Sequence, residues 1–374
     1  MACKYQYIDN NSIALIESTA RGWQENGKID IIPLTAMGWN EQVSAIETFL
    51  SENTDGFILD WRLNERNRTE VRYSAEALAE QIRFFLKQRN AAIPIIIVSQ
   101  SINTFREIYK NDLNVNGLFD AQYSKDELNQ LENKNQLIAI AGAYKTLNEL
   151  QADNTIEQDS KIMRMLDVDS LSGFFSDLLE TIQQETDTSV SAISQFVLQE
   201  MIKKPGKLID EEWLAARLGI DKAASNDWQR LKDEHLINAK YTGIFAGAWD
   251  RWWTNRVEDW WNQYTSRPLQ ATKAQERVEL IRISTNLVGL QAAQLLPLCT
   301  SEQFWVICEG YKKPMSSSDG MVIAGQSKLH PWQQKRYVSI HATLNNVGIE
   351  NWKKVARFEQ SSLQNFHEFY DIQP

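Results

Sequence analysis

The chain has 374 residues, 43% of them hydrophobic and 24% charged, the make-up of a globular protein long enough for two domains. Its 39 lysines and arginines against 49 aspartates and glutamates leave a formal net charge of −10, short of the basic excess that phosphate contacts call for, so nucleic acid is a disfavoured partner. No apolar stretch reaches the roughly 18 residues of a membrane helix; no signal-peptide core follows the N-terminus, and Cys3, Cys299 and Cys308 form neither a disulfide framework nor a Cys-x-x-Cys zinc site, so a cytoplasmic protein is expected.

From residue 12 onward, strand and helix signals alternate. The apolar run 12–17 and the alternating run 28–33, which ends at Pro33, read as the first two strands. Val43, Ile46, Phe49 and Leu50 recur at helical spacing between Trp39 and Leu50, and Gly56 to Leu59 follows as a third strand closed by Asp60. Ala75, Leu78, Ala79, Ile82, Phe85 and Leu86 mark another helix face. The run 93–99 is apolar enough for a central strand buried on both sides. A weaker strand at 117–119 and a long helix from about Asp126 to Leu150 complete the series.

Five strands alternating with helices predict an α/β fold, a doubly wound five-stranded parallel sheet, with the flavodoxin-like order as the natural arrangement. In that order the carboxyl ends carrying Glu17, Asp60 and Ser99 converge at the switch point, where open sheets collect their chemistry. Asp60, directly after an apolar strand, is placed to act as a nucleophile.

The set Glu17-Ser18-Thr19, Asp60-Trp61-Arg62-Leu63, Ser99 and Lys125 resembles the phosphorylation pocket of bacterial response-regulator receiver domains, over roughly residues 10–150. The resemblance implies that Asp60 is the phosphoacceptor, taking a phosphoryl group from a histidine kinase or another phosphodonor protein. It implies that Ser99 and Lys125 bind that group, and that Glu17, Asp60 and the backbone carbonyl of Arg62 hold Mg²⁺. The chain departs from the family pattern in three places. A single acid precedes Ser18 and Thr19 where two adjacent acids are usual. Asp126 follows Lys125 where proline is usual, and Gln122 stands at the aromatic switch position with Tyr123 one step late. The polar segment 64–74 carries several arginines and reads either as a solvated loop or as a docking loop that steers a phosphorylated donor.

Residues 150–162 are polar and aperiodic, which sets a boundary between a receiver-like domain over 1–150 and a mainly α-helical output or partner-binding domain over 160–374 with a small β element near its end. Phe174, Phe175, Leu178, Leu179 and Ile182 form one apolar helix face, and Ile193, Phe196, Val197 and Met201 another, which suggests a helical pair. Residues 207–240 resemble a helix-turn-helix, with Ser225 to Leu236 in the recognition position. That stretch sets Asp227, Asp233 and Glu234 against Arg230 and Lys232, a poor surface for DNA. Trp249, Trp252, Trp253 and Trp260, with Val257 and Tyr264 and with Trp261 at the margin, fall along one stripe on a helix, and read either as core or as a site that stacks a planar ligand or docks another subunit. A helix from Gln275 to about Leu296 and strand-like runs at 304–309 and 337–342 complete the tail. His330, His341 and His367 lack metal-ligand spacing and Cys308 has no defined base; an enzyme site within residues 270–374 would need a pocket joining Cys308 with a histidine.

These readings converge on a signalling regulator controlled by phosphorylation of Asp60. They also carry a faint similarity to receiver-bearing proteins of phosphorelay-type antiphage defence systems. The alternatives are a phosphorylation-independent pseudo-receiver scaffold and, more remotely, a transcription regulator acting through residues 207–240.

Overall fold

A computed structural model of the chain describes residues 2–64, 70–110, 112–171, 175–185, 189–326, 328–349, 352 and 354–369. The chain divides into two compact units, one of Met1–Leu171, Leu179–Leu198 and Thr242–Trp249, the other of Ser172–Leu178, Gln199–Tyr241 and Asp250–Pro374. Arg66, Arg68, Phe174 and the side chain of His367, all part of the sequence reading, lie outside the described residues.

The first unit is built on five strands: β1 (Cys3–Asp9), β2 (Ile29–Thr35), β3 (Gly56–Asp60), β4 (Ile95–Val98) and β5 (Ala121–Tyr123). They lie in the order β2-β1-β3-β4-β5 and every neighbouring pair is parallel, which is the flavodoxin-like doubly wound arrangement. Every residue of β3 and β4 is buried, as continuous apolar runs under two helical layers require. Pro33 does not end β2, which continues to Thr35, because β2 is an edge strand and can spare an amide donor.

The crossover elements include α1 (Ile13–Trp23), α2 (Trp39–Ser51), α3 (Ala75–Gln88), α4 (Ile102–Ile108), α5 (Leu113–Leu118) and α6 (Leu131–Ala152). Two expectations need correction. Residues 13–17 open α1 rather than forming a strand; Ile16, Ala20 and Trp23 are its buried positions, spaced at helical intervals that a six-residue window cannot reveal. The first strand is instead Cys3–Asp9, whose buried Tyr5, Gln6 and Tyr7 look polar in sequence yet find partners inside. Similarly, residues 117 and 118 end α5, and β5 begins at Ala121. The long α6 packs against α7 (Gln158–Leu166) and α9 (Val190–Phe196), with α8 (Ser176–Glu185) between them in sequence.

The second unit is mainly helical with a small sheet. Its helices include α10 (Glu211–Leu218), α11 (Thr254–Asn262) and α12 (Ala274–Thr285). A two-stranded ribbon pairs β6 (Leu208–Ile209) with β7 (Trp252–Trp253). Four further strands, β8 (Val306–Cys308), β9 (Lys313–Met315), β10 (Gly320–Val322) and β11 (Tyr337–Ser339), form a mixed sheet in the order β10-β11-β8-β9. The helix expected from 275 to 296 stops at Thr285 because Asn286 takes a left-handed conformation, φ 57°, that ends it.

The tryptophan stripe is also revised. Trp252 and Trp253 are strand residues, the helix starts only at Thr254, and Trp249 belongs to the first unit, edge-on to Phe245. Trp252, Trp260 and Trp261 are buried in the core of the second unit with Trp213 and Trp228, and Trp253 is buried between Phe175 and Tyr241. The fully buried Arg277 is held in the same unit by hydrogen bonds to the carbonyls of Thr272, Ala216, Arg217 and Phe304, which satisfies the carboxyl end of α10.

Candidate functional site at the carboxyl edge of the parallel sheet

Strand order reverses across β1, so the crevice expected in such sheets lies beyond the carboxyl ends of β1 and β3. The register sets Ile8 beside Leu59, which brings the terminal residues Asp9 and Asp60 to the same edge, and Asp60 pairs in turn with Val98. Both carboxylates are buried, with 1% of Asp9 and 5% of Asp60 exposed. Two buried anions side by side are costly unless a cation joins them.

Lys125, in the loop after β5, supplies it. Its Nζ lies 2.6 Å from Asp9 Oδ2 and also hydrogen-bonds Asp60 Oδ2. The loop is held from behind by Trp23, whose Nε1 donates to the Lys125 carbonyl at 3.1 Å and whose ring packs on Tyr7 with centroids 4.6 Å apart. The Tyr7 hydroxyl in turn donates to Asp9 Oδ2. Asp9 Oδ1 accepts from the backbone and side-chain nitrogens of Asn11, and Asp60 Oδ1 accepts from the Arg62 amide at 3.1 Å. Asn10, next to Asp9, donates its Nδ2 to the carbonyls of Arg62 and Leu63 at 2.8 and 2.9 Å.

The electrostatics follow from this wiring. Burial raises the Asp60 carboxyl above its ordinary value; the charge of Lys125 opposes this, the carboxylate of Asp9 adds to it, and the net direction is upward. Burial acts the same way on Asp9, but Lys125, Tyr7 and the Asn11 amide outweigh it and hold that carboxyl below its ordinary value. Burial works to lower Lys125, and the two carboxylates more than reverse it, so the ammonium is held charged. Tyr7 is pushed strongly upward by burial and by Asp9, and stays a protonated donor.

Of the residues singled out from sequence, Asp60 and Lys125 come together. Ser99 directly follows β4 at the same edge, buried, with its Oγ accepting from the Ser101 amide at 3.0 Å. Glu17 does not join them: it sits on the exposed face of α1, because the segment that carries it is helical. The acid at the end of the first strand is Asp9, and the neighbour that would complete an acidic pair is Asn10. The signal for Asp9 was a period-two aromatic run, Tyr5 and Tyr7, broken by the turn-forming Asn10-Asn11-Ser12. Tyr123, next to the switch position, is buried and donates its hydroxyl to Gln136 at 2.7 Å.

The oxygen donors that a receiver-type Mg²⁺ site would draw on are Asp9, Asp60 and the Arg62 carbonyl. They do not fit the ion as arranged. All four carboxylate oxygens accept hydrogen bonds, the Arg62 carbonyl is taken by Asn10, and an ammonium stands between the two acids. Among the described residues no three of His, Cys, Asp and Glu gather as a metal-ligand set.

The other candidates resolve differently. Residues 228–235 wind irregularly, with Trp228 and Leu231 in the core, Arg230 paired with Asp227 and Glu234, and Lys232 paired with Glu211 at 2.5 Å. Cys308 is buried against Ser339, while His341 bonds the Tyr311 hydroxyl at 2.7 Å and His330 stacks on Trp332. No helix among the described residues is long and apolar enough to cross a membrane.

No protein-family model matches the sequence, and no curated protein matches it. Among solved structures, that of the phosphorylated cyanobacterial phytochrome response regulator RcpA is similar to 41% of this chain over 97% of its own length, at 16% identity and a TM-score of 0.24. The doubly wound assignment of the first unit rests on its strand order and its parallel pairing.

Proposed function

We propose that residues 1–150 act as a receiver-type regulatory domain that accepts a phosphoryl group on Asp60, and that residues 160–374 are the output region through which a protein partner is engaged. The observation that carries this reading is the convergence of Asp60, Asp9 and Lys125 at the switch point of the sheet. An Asp60 carboxylate oxygen would attack the phosphorus of a donor phosphohistidine. The phosphorus–nitrogen bond breaks, the imidazole nitrogen keeps the electron pair and takes up a proton, and an aspartyl phosphate forms. Lys125 would then exchange part of its pairing with Asp60 for the new phosphoryl oxygens, and Ser99, which follows β4 at the same sheet edge, would donate its hydroxyl proton to them. The donor would be a histidine kinase in a cytoplasmic phosphorelay, with antiphage defence as the setting suggested by the sequence resemblance.

Incubation with acetyl phosphate, with and without a divalent ion, followed by intact-mass measurement tests it. A phosphoryl adduct on the native chain that is missing from Asp60→Asn is expected, and its absence from both contradicts the reading.

A second reading, a pseudo-receiver that holds partners without phosphorylation, is favoured by the hydrogen bond from Asn10 to the Arg62 carbonyl and by the fully engaged carboxylates. It predicts that partner binding is the same in the native chain and in Asp60→Asn.

A further inference from the structure

We propose that the Asp9–Asp60 pocket carries its own cation and excludes a divalent one, with Lys125 filling the charge role and Asn10 closing the carbonyl that a metal would use. The choice of Mg²⁺ as the excluded ion rests on the receiver-type reading of the pocket; the wiring that excludes it does not.

Three observations converge. The Lys125 ammonium is bonded to Asp9 Oδ2 at 2.6 Å and to Asp60 Oδ2, so the point nearest both anions is occupied. Asn10 Nδ2 reaches the carbonyls of Arg62 and Leu63 at 2.8 and 2.9 Å, so the backbone oxygen beside Asp60 already has a donor. The outer oxygens Asp9 Oδ1 and Asp60 Oδ1 are held by Asn11 and by the Arg62 amide. Mg²⁺ demands near-octahedral oxygen ligands and gives up its water reluctantly, so entry would require breaking several of these bonds at once.

Charge count points the same way. Two carboxylates and one ammonium sum to −1, and adding a divalent ion would leave a buried excess of +1. An aspartate at position 10 would supply a third carboxylate and remove the amide that covers the Arg62 carbonyl. Lys125→Met would instead empty the cation position and leave two carboxylates facing each other. Each change is expected to open the pocket to a divalent ion.

The test is Mn²⁺ binding to the full chain, followed by the loss of the free-ion paramagnetic resonance signal. Four proteins are compared: native, Asp60→Asn, Asn10→Asp and Lys125→Met, each checked for folding by circular dichroism. Mn²⁺ is the probe because it shares the preference of Mg²⁺ for carboxylate and carbonyl oxygen. The native chain should bind no more Mn²⁺ than Asp60→Asn, while Asn10→Asp or Lys125→Met should gain a site at least roughly tenfold tighter, since ligand charge count sets affinity at such sites. Native binding that disappears in Asp60→Asn overturns the proposal. So does the failure of both folded variants to gain a site, because Lys125 and Asn10 would then not be what excludes the ion. No phosphodonor enters the measurement, so a chain that excludes Mn²⁺ yet never takes up a phosphoryl group would refute the receiver reading and leave this inference standing.

Discussion

Lys125 hydrogen-bonds the carboxylate of Asp60 across 65 positions of sequence, and the same ammonium bridges to Asp9. This single side chain makes two buried anions at one sheet edge tolerable. Lys125→Met should therefore lower unfolding stability by about 3 kcal/mol, the cost of leaving a buried partner uncompensated. Adding Asp60→Asn in that background should recover part of the loss, and denaturant unfolding of the two single variants and the double variant measures the non-additivity.

The direction of the Lys125 shift fixes a pH window. Its folded value is raised above the unfolded one, so its contribution is complete below about pH 10, near the ordinary lysine value, and is lost as pH rises through the higher folded value. The stability gap between the native chain and Lys125→Met should be flat from neutral pH to about 10 and then close. A gap that closes well below that range would contradict the pairing. Asp9 works in the opposite range: its lowered carboxyl contributes above about pH 4 and loses that contribution as pH falls through its folded value.

In the second unit, Arg277→Met removes a hydrogen bond from each of four buried carbonyls around the end of α10, of which that of Ala216 keeps the Gly219 amide. A loss on the order of 3 kcal/mol is expected, and Arg277→Lys should restore little of it, because a single ammonium cannot reproduce the planar fork. Thermal melts of the three proteins decide this. Equal stability of the lysine variant and the native chain would show that charge alone suffices.

Burial pushes the Cys3 thiol up to about 11 and the Cys299 thiol up to about 12. Both should alkylate slowly at pH 8, on the order of a hundredfold below a free cysteine, and accelerate as pH approaches those values. Mass-mapped iodoacetamide labelling against pH reads this directly.

Much of the first unit could be read from its sequence because β3 and β4 are continuous apolar runs and their carboxyl ends carry Asp60 and Ser99. The first strand is hidden in the sequence for a physical reason. Tyr5, Gln6 and Tyr7 are polar enough to look exposed, and their burial depends on Leu137, Thr54 and Asp9, two of them distant in sequence. Reading residues 12–17 as that strand puts Glu17, rather than Asp9, at the sheet edge beside Asp60. The tryptophans are no more legible, since only the pairing of Trp252 and Trp253 with Ile209 and Leu208 shows that the segment begins as a strand. The bond from Asn10 to the Arg62 carbonyl has no local signal at all, being a contact between two loops 52 residues apart.

The most direct test of the central claim is chemical mapping of the phosphoryl group. After incubation with a small-molecule phosphodonor, borohydride reduces an aspartyl phosphate to homoserine, and peptide mass spectrometry locates that residue. Homoserine is expected at position 60 alone. Homoserine elsewhere, or none in a protein whose folding is intact, would contradict it.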